Sequence, residues 1–192
     1  MTEEYLKAGA HIGLKSRTKD MKRFVFKIRE DGLSIIDASK IDERVKIAAK
    51  FLARFKKIMV VSRKANGHKP VKMFAKVVGA RDVIGRFLPG TLTNPNFPEY
   101  YEPEVVIVTD PVADRQAVKE AVKMHIPVVG LCDTSNSTRN IDLVIPCNNK
   151  GKKSLALIYC NLAREILKAR GEIKSDGEFP YKPEDFEMKI QQ

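Results

Sequence analysis

Short unbroken apolar runs alternate along this chain with segments whose apolar residues recur at helical spacing. Residues 58–61, 105–109, 128–131 and 143–145 are runs rich in Val, Ile and Leu, the pattern of strands covered on both faces of a parallel sheet. Residues 42–55 place Ile41, Val45, Ala48, Ala49, Leu52 and Phe55 on one helical face. Further helices are predicted over 70–78, opened by Pro70 and stopped by Gly79, over 115–124, and over 154–170, stopped by Gly171. A short strand precedes the loop 85–95. The alternation predicts an α/β fold with a mostly parallel sheet. Upstream, residues 2–10 read as a short helix. Residues 24–28 and 33–37 read as a hairpin turning at Asp31-Gly32 and attached to the main sheet.

The predicted strands end in polar tips, Ser62, Thr109-Asp110 and Cys132-Asp133. Ligands of open α/β sheets bind beyond the carboxyl ends of the strands, so a nucleotide- or metal-dependent enzyme using Asp110 and Asp133 is one reading. The motifs speak against it. Gly151-Lys152-Lys153-Ser154 lacks the spacing of a phosphate-binding P-loop, and no GxGxxG follows a strand. His11, His68 and His125 have no metal-ligand spacing, and Cys132, Cys147 and Cys160 form no CxxC pair and read as buried small hydrophobes. Asp110 and Asp133 are expected to cap helices or to bond loop backbones. No metal and no cofactor is expected.

The loop Gly85-Arg86-Phe87-Leu88-Pro89-Gly90-Thr91-Leu92-Thr93-Asn94-Pro95 joins two apolar runs and holds two turn signals, Pro89-Gly90 and Asn94-Pro95. Fixed turns, short hydrogen-bonding side chains and an adjacent Arg suit an anion or a sugar-phosphate; an ordinary polar connection fits the same residues.

Charge sharpens the picture. The 192-residue chain is 43% hydrophobic and carries a net +11. Twelve Lys or Arg and no acid lie between Arg44 and Arg81, and seven basic residues against two acids lie between Lys15 and Glu30. On the helix at 42–55, Lys46, Lys50, Arg54 and Lys57 make a basic stripe. The segment from Gly171 has six acids and three lysines, a charge of −3, which leaves +14 on residues 1–170. Such a field draws polyanions by releasing their counterions. No apolar run nears the ~18 residues of a membrane span, and the first residues do not read as a secretory signal.

Several strings together resemble a known family: AGAHIG (8–13), TKDMKRFVF (18–26), DGLSIIDASKIDERVKIAAKFL (31–52), GRFLPGTLTNP (85–95), EPEVVIVTDPVADRQAVKEA (102–121), IPVVGLCDT (126–134) and IDLVIPCNNKGKKSLALIYCNLAREILKARGEI (141–173). The chain resembles the small-subunit ribosomal protein S-two family, in the archaeal and eukaryotic branch that includes the laminin-receptor precursor. The resemblance implies a flavodoxin-like, three-layer α/β/α core with a mostly parallel five-stranded sheet and an added N-terminal β-hairpin. It implies a non-enzymatic constituent of the small ribosomal subunit, cytoplasmic and monomeric outside the ribosome, with small-subunit rRNA and neighbouring ribosomal proteins as partners. Bacterial relatives insert a long helical hairpin in the core; here only Asn96 and Phe97-Pro98-Glu99-Tyr100-Tyr101 fill the gap between Pro95 and Glu102.

Charge and resemblance agree on candidate rRNA contacts. His11, Lys15, Arg17, Lys19, Lys22 and Arg23 form a basic arm that can track phosphates. Arg63, Lys64 and Lys69 belong to a loop after a buried strand. Arg86, Thr91, Thr93 and Asn94 come from the central loop, with groups that can reach ribose hydroxyls. Asn148, Asn149, Lys150, Lys152 and Lys153 stand where a helix begins and free N–H groups favour an anion. Residues 1–173 are expected to form one α/β domain and 174–192 an acidic, aromatic tail. Alongside Ile190 the tail holds Phe179, Tyr181 and Phe186, aromatics that would anchor it to a basic, groove-bearing partner protein, the alternative being a tail folded back on its own basic body.

Overall fold

The computed structural model describes residues 2–188. Helix α1 (Thr2–Lys7) leads through a basic arm into β1 (Val25–Ile28) and β2 (Ser34–Ile36), then α2 (Ala38–Leu52). The core follows as β3 (Ile58–Ser62), α3 (Ala65–Val78), β4 (Arg81–Ile84), β5 (Val105–Val108), α4 (Arg115–Lys123), β6 (Val128–Cys132), β7 (Leu143–Pro146) and α5 (Lys152–Arg170). A last short helix, α6, spans Pro183–Phe186.

Strands β3 to β7 form one parallel sheet in the order β4-β3-β5-β6-β7. From β3 the chain steps outward to β4, then returns to the other side of β3 and runs on through β5, β6 and β7. Right-handed crossovers in opposite directions put their helices on opposite faces. Accordingly Val71, Phe74 and Val78 of α3 share one core with Ile58, Val60, Val105, Ile107, Val129 and Leu131. Ala117, Val118 and Ala121 of α4 share the other with Met59, Val61, Val106, Val108 and Val128. Alternate residues of each central strand enter alternate cores, which is why those strands are apolar without interruption. The result is a three-layer α/β/α sandwich with the flavodoxin-like strand order.

Helix α2 starts because Asp37 caps it, its carboxylate accepting the Ser39 N–H at 3.0 Å. Helix α5 is buried on nearly every side between Ser154 and Ala163 because the sheet, α2, α3 and α6 all pack on it. Its one deeply buried amide, Asn161, donates to the Tyr5 hydroxyl at 3.1 Å and so pins α1 to the core. At the far end the Arg170 guanidinium donates to the carbonyls of Val78 and Phe55 at 2.8 and 3.2 Å.

Two details differ from the sequence reading. Strands β1 and β2 form their own two-stranded antiparallel sheet rather than joining the main one. Helix α3 begins at Ala65 rather than at Pro70, so Lys69, expected in a loop, is helical and Pro70 lies inside the helix. Gly67 permits this: a Cβ there would stand 2.2 Å from the Ser62 Oγ, so only glycine lets the first turn of α3 sit against the strand tips. Among the described residues no helix is long and apolar enough to cross a membrane.

Candidate nucleic-acid interface

The strands are parallel, so the loops after β3, β4, β5, β6 and β7 emerge along one edge of the sandwich. Buried carboxylates hold these loops. Asp110, 5% exposed, accepts from the Val112 N–H at 3.0 Å and the Asn136 side-chain amide at 2.9 Å, and pairs with the Lys64 ammonium. Asp133 accepts from the Thr134 N–H at 2.6 Å, with the Lys150 ammonium 3.8 Å away. Asp114 accepts the N–H groups of Arg63 at 2.8 Å and Asp110 at 3.0 Å. Burial pushes Asp114 up to about 6 and raises Asp133 as well, against the opposing pull of those hydrogen bonds. Asp110 and Asp133 are thus committed to loop backbones and to two lysines. The enzyme reading that needed them as catalytic carboxylates has no support in this arrangement.

The basic arm lies along the loop after β6. Thr134 organises it: its hydroxyl accepts the Leu14 N–H at 2.9 Å and donates to the Ser16 carbonyl at 3.1 Å, and its own carbonyl accepts the Thr18 N–H at 2.9 Å. Gly13 allows the contact, since a Cβ there would meet Thr134 Cγ2 at 2.4 Å. With the backbone anchored, Lys15, Arg17, Lys19, Lys22 and Arg23 stay exposed. The Arg23 guanidinium lies 4.8 Å from the centre of the Phe24 ring. His11 is half-buried, with Nδ1 3.4 Å from the Tyr5 carbonyl.

The central loop is built on a residue that sequence reading missed. Glu120 of α4, 3% exposed, accepts the N–H groups of Gly90 at 3.0 Å and Leu92 at 3.1 Å, while the Gln116 amide donates to it at 2.8 Å. Phe87 and Leu92 enter the α4-side core. Thr91 is buried and donates to the Leu88 carbonyl at 2.7 Å, so its hydroxyl serves the turn rather than the surface. Asn94 accepts the Asn96 N–H at 3.1 Å and is exposed, as are Arg86 and Thr93.

Before α5, Asn149 is wholly buried, its amide donating to the Leu131 carbonyl at 3.0 Å and the Asn136 side chain at 3.1 Å. As a fold-bracing group it leaves the set of surface contacts proposed from sequence. Asn148 accepts the N–H groups of Lys150 and Gly151 at 3.0 and 3.2 Å, shaping the turn. The cap residue Gly151 has no side chain to bond, so the start of α5 remains open beside the half-buried Lys152 and the exposed Lys153. The Asn66 amide donates to the Lys150 carbonyl at 2.8 Å, which ties the start of α3 to the start of α5. Lys69 is half-buried on α3.

The structure therefore brings the arm, Arg63 and Lys64, the central loop and the α5 start to one edge. It does not bring the tail there. Phe186 is fully buried in the core of α3 and α5, and Phe179 and Tyr181 pack against the same core, with ring centres 5.7 Å apart. These aromatics, expected as anchors on a partner, are spent on the chain's own helices; Ile190 lies outside the described residues. On the α2 stripe, the Lys46 ammonium pairs with Asp42 of the same helix at 2.7 Å. A separate apolar groove of about 570 Å³ lies between α1 and the hairpin, walled by Leu6, Ile12, Phe26 and Ile35. A bulge in β1 between Val25 and Lys27 turns Phe26 outward, and it is 71% exposed.

A family model described as "Ribosomal protein S2" matches residues 5–97 and 98–169. The small ribosomal subunit protein uS2 of Ignicoccus hospitalis is 55% identical over 193 residues, covering 98% of this chain and 91% of the relative. The proteins of the same name from Staphylothermus marinus and Picrophilus torridus are 54% and 51% identical over 190 residues; each alignment covers 98% of this chain, and 86% and 95% of those relatives.

Proposed function

The chain belongs to the ribosomal protein S2 family, and from that membership we propose that it is a structural constituent of the small ribosomal subunit, held there by rRNA along the carboxyl-terminal edge of its sheet. The observation that carries this is the convergence on that edge of basic side chains from separate parts of the sequence. Lys15, Arg17 and Lys19 of the arm, Arg63 after β3, Arg86 after β4, and Lys152 and Lys153 at the start of α5 meet there. The strand-tip acids beneath them are buried and already bonded, and the arm's exposed Asp20 accepts from the Thr138 N–H and hydroxyl at 3.4 and 3.1 Å. Cations in such excess over acids tolerate their mutual repulsion when phosphates neutralise them. Recognition by phosphate and shape fits this edge better than base reading, because most of its long cationic side chains are exposed on loops and helix starts.

The same reading makes the protein non-enzymatic, cytoplasmic in the ribosome and monomeric outside it. Neighbouring ribosomal proteins are the partners suited to the groove beside Phe26, whose walls of Leu6, Ile12, Phe26 and Ile35 suit an apolar surface. Binding of the purified chain to small-subunit rRNA across a salt series tests the proposal. Affinity should fall steeply with salt, and the double variant Lys152→Glu, Lys153→Glu should bind at least 10-fold more weakly at 0.1 M salt. Salt-independent binding, or an unaffected double variant, contradicts it.

A further inference from the structure

We infer that the half-open hollow at the switch point of the sheet, where Arg63, Arg86 and Arg115 meet, seats a single backbone phosphate of the RNA. The inference rests on the rRNA-bound reading above and names one contact within it. The hollow holds about 390 Å³ and lies where the chain departs from β3 toward one side and from β5 toward the other. Its three guanidiniums come from three separate segments: the residue after β3, the loop after β4 and the first residue of α4.

Their charge is unopposed. Arg63, Arg86 and Arg115 are exposed, and among the described residues none has an ion pair with a carboxylate. The one carboxylate in the wall, Asp114, is 2% exposed and turned inward, one oxygen on the Arg63 N–H and the other on the Asp110 N–H. That diversion has a second effect. Asp114 stands at the cap position of α4 yet makes no side-chain cap bond, so the first N–H groups of the helix keep their donors open toward the hollow.

Guanidiniums stay charged at any working pH and grip phosphate oxygens in pairs. Three of them gathered in one hollow repel each other until an anion arrives. Pro89 and the 67% exposed Val112 form apolar walls against which a ribose can lie. The half-open shape lets a polymer enter and leave, whereas a free nucleotide is normally enclosed on most of its surface.

The test uses the full chain and small-subunit rRNA. Because the three arginines share one phosphate, their effects should not add. Arg115→Gln alone, and the triple variant Arg63→Gln, Arg86→Gln, Arg115→Gln, should each lower the slope of log K against log salt by about 0.7–0.9, the value of one phosphate, with affinity down about 10-fold or more at 0.1 M salt. Unchanged melting temperatures would show that the variants fold. An unchanged slope in the triple variant, alongside weakened binding in the Lys152→Glu, Lys153→Glu variant, overturns the hollow and leaves the rRNA reading standing. If neither variant weakens binding, the rRNA reading itself fails. A slope loss near three phosphates shows separate contacts and overturns the shared seat. Inorganic phosphate, followed at the arginine Nε–H resonances, should shift Arg63, Arg86 and Arg115 only at millimolar concentration. Saturation at micromolar phosphate would assign the hollow to a small molecule instead.

Discussion

The carboxylate of Glu120 accepts the backbone N–H of Leu92 at 3.1 Å from inside the protein, 28 residues away in sequence. Its other oxygen takes the Gly90 N–H at 3.0 Å. One buried charge thus fixes the loop that presents Arg86 and Asn94. Charge-assisted bonds of this kind are each worth roughly 1.5–3 kcal/mol, and removing the acceptor strands two donors. Glu120→Ala should cost about 3–5 kcal/mol by these figures, and speed amide exchange at Gly90 and Leu92. Glu120→Gln should cost less. Unchanged exchange at both amides would mean the loop holds itself.

Phe186 of the tail and Phe26 of the N-terminal hairpin are a buried and an exposed ring. Phe186→Ala should lose about 3–5 kcal/mol in denaturant unfolding, because it empties a fully buried site. Phe26→Ala should stay within about 0.5 kcal/mol, because that ring is 71% exposed. Equal effects would contradict the placement of the tail on α3 and α5.

Asp114 gives a pH dependence with a definite sign. Its carboxyl titrates at about 6 in the fold against an ordinary value of 3.8. A raised value means that the fold favours the protonated form. Its stabilising contribution is full below about pH 4 and disappears as pH rises through about 6. Wild-type stability should therefore decline relative to Asp114→Asn between pH 4.5 and 7.5, by roughly 2 kcal/mol. A difference between the two proteins that does not vary with pH contradicts the shift.

The cysteines should be silent in the native protein. Cys132, Cys147 and Cys160 are buried, and burial pushes the Cys132 thiol up to about 12 and the Cys160 thiol to about 11. A thiol reagent at pH 8 should find none reactive until the chain unfolds, and then all three. Fast labelling of any one in the folded protein would contradict its burial.

Much of the fold was legible because burial on both faces writes itself as unbroken apolar runs, as in Val105–Val108. The start of α3 was not, because Pro70 signals a first turn and nothing local shows that Gly67 must press against Ser62. The strings around Pro89 and Asn94 announced turns, but Glu120 could not be assigned to them, since its partners lie about 30 residues away and are backbone groups. Among the candidate contacts, the exposed lysines and arginines were readable from charge alone. Asn149 and Thr91 share the residue types of RNA-binding loops, and only packing shows that their polar atoms are used internally. Phe186 misled for the reverse reason: an acidic, aromatic segment looks alike whether it covers its own core or a neighbour's.

Lysine acetylation compared between the free protein and assembled small subunits reads out which edge of the sheet faces the rRNA. Lys15, Lys19, Lys152 and Lys153 lie on the carboxyl-terminal edge, while Lys76 and Lys123 occupy the last turns of α3 and α4 at the opposite edge. The first four should become protected on assembly, and Lys76 and Lys123 should remain reactive. Protection of Lys76 and Lys123, with the other four still open, would contradict this.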